Sequence, residues 1–240
     1  IIDGEYHQYF AKVTGKLMYS AVHREAYPAV GDWVAFERLP ENEAIIRGIL
    51  SRKTILKKKY SNKQDNQIIA TNIDTAFIVQ SVGRDFNLNR YERFLVLARE
   101  ANIMPVFVVN KIDLVTYENL KLLLHRISSR FSGIKVISTQ TKTDEGMREL
   151  KDCIASGKTY CFLGSSGVGK SSLINMLLGK DEIKTREISL ANQKGTHTTT
   201  TRDLYCMEHG GILIDNPGTR EVGISDSEGG ISDVFDDIEE

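Results

Sequence analysis

Three cysteines in 240 residues are too few, and too scattered, to build a framework. Cys153, Cys161 and Cys206 lie far apart, leave an odd thiol in any pairing, and have no metal-ligand spacing. That excludes a disulfide scaffold and fits a reducing, cytoplasmic setting. No stretch approaches the roughly 20 consecutive apolar residues of a membrane helix, so no membrane partner is expected. The first residues, "IIDGEYHQYF", have no basic flank followed by an apolar core, so they do not read as a secretory signal. They also lack Met, and further residues are expected to precede them. Neither charge sign dominates: 31 basic against 32 acidic residues give a net charge of -1. The chain as a whole is therefore no polycation built for nucleic acid.

What remains is the composition of a soluble globular protein, 41% hydrophobic and 26% charged, enough for a sizeable core. The charge is unevenly placed. Six basic and no acidic residues fall between Arg52 and Lys63, whereas eight acidic and no basic ones fall between Glu221 and Glu240. Such runs are usually solvated surface. The basic run is also the better candidate for an RNA contact, with Trp33 and Tyr9 as possible stacking platforms. For Trp33, packing in a core is the first expectation.

The chain changes texture near residue 68. Before it, "YFAKVTGKLMY", "GDWVAFERL" and "AIIRGILSR" are short β-like runs separated by turns, predicting a small antiparallel barrel or sandwich. In "GDWVAF", Val34 and Phe36 share one face and Trp33 and Ala35 the other. Residues 51 to about 68 are polar and basic and read as a linker or mobile loop. From Ile73 onward, apolar strands alternate with amphipathic helices: "IDTAFIVQSV", then Leu88, Tyr91, Leu95 and Ala98 at helical spacing, then "MPVFVV". A helix over Tyr117 to Arg130, the strand "IKVIS", a helix from about Asp144 to Ala155 and the strand "TYCFLG" follow, then a helix over Lys170 to Leu178 and the strands "DLYCME" and "GILID". This alternation predicts a mostly parallel sheet covered by helices.

Several strand ends carry chemistry. "GSSGVGKS" (164–171) has the phosphate-loop spacing between a strand and a helix, and a chance match in such a chain is on the order of one in a hundred. Its candidate contacts are Gly164, Ser165, Ser166, Gly167, Val168, Gly169, Lys170, Ser171 and Ser172. Backbone N–H groups and the helix start would hold phosphates, Lys170 would neutralise them, and the Ser171 hydroxyl would ligate Mg²⁺. "GILIDNPG" ends in Asp215, 45 residues after Lys170, with Gly218 three further on. Asp215 would reach Mg²⁺ through water and the Gly218 amide a γ-phosphate; the four-residue pattern alone is expected about once by chance. "GTHTTTT" lies where a first switch loop belongs, with Thr199 the preferred Mg²⁺ ligand and Thr198 close behind, although a Thr-rich surface loop would look the same.

"NKID" (110–113) ends another strand. The Asp113 carboxylate can accept hydrogen bonds from guanine N1–H and the 2-amino group, which adenine does not offer. Asn110 can bond the base and neighbouring loops, and the Lys111 stem can cover its face. "ISTQ" follows, with Ser138 and Thr139 placed to support the base; an ordinary turn would read alike. The base reader thus precedes the phosphate loop. Because ligand loops of such a sheet all lie at the carboxyl ends of its strands, joining old termini and opening the chain elsewhere moves none of them. The order is that of a circular permutation.

"VGDWV", "SRKT", "IATNIDTAFIV", "NKIDL", "GSSGVGKSSLIN", "HTTT" and "DNPGTRE" together resemble the circularly permuted GTPases of the RsgA family, also called YjeQ or YloQ, over nearly the whole chain. The resemblance implies an α/β P-loop GTPase domain, circularly permuted, with a mostly parallel sheet (68–224), preceded by a small all-β OB-fold barrel (1–67, with the basic linker from about 51). It implies GTP hydrolysis to GDP and phosphate with Mg²⁺, stimulated by the small ribosomal subunit, in late maturation of that subunit and its rRNA, by a cytoplasmic monomer. It points to His197 of "HTTT" as the water-positioning residue, because Thr219 stands where many GTPases place Gln. The family's C-terminal zinc module would begin near 225–240, but its Cys/His cluster is not in this sequence and no zinc ligand is assigned. Two other readings stay open: a nucleotide-gated RNA-binding module with incidental hydrolysis, and a P-loop ATPase or kinase.

Overall fold

The computed structural model describes residues 1–5, 7–15, 24–58, 67–83, 86–179 and 203–215. Near the amino terminus, β1 (Phe10–Val13), β2 (Val34–Arg38) and β3 (Glu43–Ile49) form a sheet in the order β1-β3-β2. β2 and β3 are antiparallel as expected, but β1 runs parallel to β3. The stretch between β1 and β3 is long enough for the crossover that a parallel pair needs. Along β2, Val34 and Phe36 turn inward and Ala35 and Glu37 outward, the alternation read from the sequence.

β4 (Ile55–Lys58) and β5 (Gln67–Thr71) pair as an antiparallel ribbon. The stretch from 51 to 68 is therefore not simply a linker. The buried Leu56 packs with Ile69 and Ala70 into the core of the following sheet. A single inward apolar side chain among lysines carries too weak a period to betray a strand.

Asp32 joins the amino-terminal sheet to this ribbon. Its carboxylate accepts from Arg52 Nε at 2.7 Å and NH2 at 2.6 Å, from the Thr71 hydroxyl at 2.7 Å and from the Ala29 N–H at 2.8 Å. The rest of the Arg52 guanidinium donates to the carbonyls of Glu25 and Tyr27. Gly31 has φ +90°, and a Cβ there would lie 2.2 Å from the Thr71 carbonyl oxygen, so only glycine allows the approach.

The main sheet contains β6 (Thr75–Ser81), β7 (Met104–Asn110), β8 (Lys135–Thr139), β9 (Thr159–Leu163), β10 (Asp203–Cys206) and β11 (Ile212–Asp215), in the order β10-β11-β9-β6-β7-β8. Its pairs are parallel except β10 with β11. Helices α1 (Leu88–Glu100) and α2 (Tyr117–Arg130) supply Tyr91, Leu95, Ala98 and Ile127 to the face that contains Ile78, Phe107 and Val109. Helices α3 (Met147–Asp152) and α4 (Lys170–Leu178) supply Leu150, Leu173 and Ile174 to the face that contains Phe77, Val79 and Val108. Both faces are covered, which is why the strands read as unbroken apolar runs rather than alternating ones. α3 is shorter than the Asp144 to Ala155 expectation because Asp144 has φ +59° and Gly146 φ +75°, left-handed positions that belong to a turn. The chain leaves β6 toward β7 and β8, then crosses back to β9 on the other side of β6. That reversal of direction places the crevice for a ligand at the carboxyl ends of β9, β6 and β7.

Candidate nucleotide site

All five residues of β9 are buried, and they drive Gly164 to the sheet's carboxyl edge, from which the glycine-rich loop turns into α4. Lys170, only 6% exposed, donates to the carbonyl oxygens of Gly164 at 2.8 Å and Ser165 at 2.9 Å. Burial pushes its pKa down to about 8, against the pull of the Asp215 carboxylate. A desolvated ammonium held by two neutral carbonyls is poised to gain from an anion.

Asp215, at the end of β11, is buried too, and burial raises its pKa while Lys170 and Ser171 lower it. Its Oδ2 accepts from the Ser171 hydroxyl at 3.2 Å, and its Oδ1 is buried with no hydrogen-bond partner among the described residues. An orphaned carboxylate oxygen costs about 1–3 kcal/mol. A carboxylate and a hydroxyl side by side are the hard oxygen donors that suit Mg²⁺, so these residues fit the ion the sequence implies.

β7 carries Asn110 to the same edge. Its amide Nδ2 donates to the Val168 carbonyl at 2.8 Å, and its Oδ1 accepts from the Thr139 hydroxyl at 3.1 Å. Lys111, in a left-handed conformation with φ +61°, extends its amine to the Gly167 carbonyl at 2.7 Å. These two bonds join residues 58 and 56 positions apart and tie the NKID segment to the glycine-rich loop. Gly169 completes the joint: with φ +97°, its absent Cβ would lie 2.3 Å from Asn110 Nδ2. Gly169→Ala combines left-handed strain of roughly 1–2 kcal/mol with displacement of a buried amide worth about 1–3 kcal/mol. The variant is expected to lose at least about 2 kcal/mol of stability in a urea titration.

Asp113 sits in the 3-10 turn Ile112–Leu114 beyond Asn110, an exposed residue whose side chain is one-fifth exposed, with the Lys142 amine 2.7 Å from its Oδ2. The structure therefore brings Asn110, Lys111, Asp113, Thr139 and the phosphate loop together at one edge of one sheet. Thr139 is fully buried and touches Asn110 rather than open space, and the Val168 side chain packs into the core beneath the loop. Ser138 is half-buried on the same strand, and its carbonyl faces Gly146. His197, Thr199 and Gly218 lie outside the described residues.

The amino-terminal region departs from expectation twice. Trp33 is 59% exposed, not packed in a core, because it shares the outward face with Ala35. Arg52 is only 11% exposed and its donors are committed to Asp32 and two carbonyls, so it leaves the set of free basic residues. Lys57 likewise pairs with Glu25 at 2.8 Å. Tyr9 lies against Phe36, with ring centroids 5.5 Å apart, and the Arg38 guanidinium covers it.

A family model described as the RsgA GTPase matches residues 49–225, which takes in the ribbon and the whole main sheet with the strand ends of the site. The chain belongs to the RsgA GTPase family. Among curated RsgA proteins, it is 44% identical over 214 residues to the small ribosomal subunit biogenesis GTPase RsgA 2 of Lactiplantibacillus plantarum, covering 89% of this chain and 60% of that one. It is 40% identical over 231 residues to RsgA 1 of Bacteroides thetaiotaomicron, covering 95% and 64%. The chain thus spans about three-fifths of the length of these RsgA relatives. The crystal structure of YjeQ from Thermotoga maritima superposes with TM-score 0.70 at 28% identity, over 92% of this chain and 70% of that one. YloQ, a circularly permuted GTPase, has the same fold, with TM-score 0.57. Among the described residues, no helix is long and apolar enough to cross a membrane.

Proposed function

We propose that the chain binds GTP at the carboxyl edge of its main sheet, hydrolyses it to GDP and phosphate, and does so on the small ribosomal subunit. The observation that carries this reading is the pair of hydrogen bonds from Asn110 to Val168 and from Lys111 to Gly167, which hold a base reader and a phosphate cradle as one unit. In it, Asp113 accepts from guanine N1–H and the 2-amino group, Ser138 and Thr139 hold the base loop, and residues 164 to 172 wrap the phosphates. Lys170 neutralises β and γ oxygens. Ser171, Thr199 and, through water, Asp215 would hold Mg²⁺, which when bound would offset the negative charge on the phosphates. The Gly218 amide senses the γ-phosphate, and His197 orients the attacking water. The partner follows from the relatives' names, small ribosomal subunit biogenesis GTPases. The outward-facing Trp33 suits contact with rRNA through stacking. A cytoplasmic monomer completes the reading.

Turnover of GTP and ATP, with and without purified small subunits, tests it. GTP is expected to be hydrolysed slowly alone and faster with subunits, and ATP not at all. Equal turnover of ATP would overturn the guanine assignment, and GTP turnover unmoved by subunits would favour a nucleotide-gated binding module. His197→Ala is expected to remove the stimulated turnover with GDP affinity within about two-fold of wild type, since removing one positioned catalytic group costs about 10²–10⁴ in rate.

A further inference from the structure

We propose that Lys142 is a built-in competitor of guanine for Asp113, a charge that the base must displace from that carboxylate. The proposal rests on Asp113 being the base reader. Lys142 Nζ lies 2.7 Å from Asp113 Oδ2, and the two residues are 29 positions apart in the chain. Guanine donates from N1–H and from its 2-amino group, so a full bidentate contact uses both oxygens of that carboxylate. The amine already holds one of them.

The loop that presents Lys142 is anchored. The Gln140 N–H donates to the Glu145 carbonyl at 3.1 Å, the Gln140 side-chain amide to the Glu145 carboxylate at 2.6 Å, and the Met147 N–H to the Asp144 carbonyl at 3.0 Å. These bonds close the loop on either side of Lys142. Its side chain, by contrast, is 75% exposed, against 20% for Asp113. The amine can swing into water without disturbing the loop, whereas the carboxylate stays where it is. Among the described residues, no other ion pair to Asp113 is found, so removing Lys142 leaves a partly desolvated carboxylate waiting for a donor, and the base supplies two.

Equilibrium binding of a fluorescent GDP analogue to the whole chain tests this, comparing wild type with Lys142→Met and Lys142→Arg. An exposed pair of this kind opposes binding by about two- to five-fold. Lys142→Met is expected to tighten GDP by that factor, while Lys142→Arg, which keeps the charge, stays at the wild-type value. Unchanged or weaker binding by Lys142→Met overturns the proposal, as does equal tightening by Lys142→Arg. Xanthosine diphosphate binding by Asp113→Asn, measured alongside, separates the two failures. A gain of xanthine binding there with no gain from Lys142→Met condemns the competitor alone. No gain there condemns the base reading beneath it.

Discussion

Lys170→Ala is expected to weaken GDP and GTP binding by on the order of 10²- to 10⁴-fold, because two charge-assisted hydrogen bonds to phosphate are each worth about 1.5–3 kcal/mol. The loss is expected in isothermal titration at constant Mg²⁺. The same residue is a burden to the free fold. Its pKa is lowered to about 8 from 10.5, so folding disfavours the charged form, and at neutral pH that penalty is present in full. It fades only as pH rises from about 8 toward 10.5, where the unfolded chain loses its extra proton. Lys170→Met, which removes the charge and keeps the stem, is therefore expected to bind nucleotide as poorly as the alanine variant and yet melt higher at pH 7. A lysine that served only to hold its loop would give the opposite result, a lower melting temperature.

Asp32→Ala is expected to cost about 3–5 kcal/mol of stability, the usual consequence of removing one partner of a buried ion pair. The side chains of Asp32 and Arg52 are 1% and 11% exposed, and the carboxylate also accepts from Thr71 and Ala29. Urea denaturation should show the loss in the midpoint. Asp32→Leu with Arg52→Met, which removes both charges, is expected to recover part of it. Arg47→Ala, whose ion pair with Glu37 is exposed on both sides, should change stability by less than about 1 kcal/mol. If Asp32→Ala were as mild as Arg47→Ala, the joint between the amino-terminal sheet and the ribbon would not be the structural feature it resembles.

The α/β fold was legible because its strands are buried on both faces and its helices are amphipathic. α2, Tyr117–Arg130, and α4, Lys170–Leu178, match the sequence expectation residue for residue. The permuted order was legible because NKID and the phosphate loop each end an apolar strand. Three things were not. β4 was hidden because, among its described side chains, Leu56 alone is buried, amid lysines. The Arg52 pair was hidden because a basic run looks the same whether its charges face water or a buried carboxylate. The exposure of Trp33 was hidden because alternation tells which residues share a face, not which face meets solvent. At the site, the chemistry of single residues could be read from motif spacing, but their mutual contacts could not. Nothing local links Asn110 to Val168 or Asp113 to Lys142; the parallel stacking of β7, β6 and β9 brings the first pair together and the pairing of β7 with β8 the second.

The central claim is that Asp113 and Lys170 serve one nucleotide, and base preference tests it most directly. Competition binding should be measured for GDP, ADP and xanthosine diphosphate against wild type and Asp113→Asn. Wild type is expected to bind GDP at least about 10²-fold more tightly than ADP, since each unmatched hydrogen-bonding group in a site costs about 1–3 kcal/mol. Asp113→Asn is expected to exchange that preference for xanthosine diphosphate. ADP binding as tightly as GDP, or an Asp113→Asn variant whose preference is that of wild type, would contradict the account.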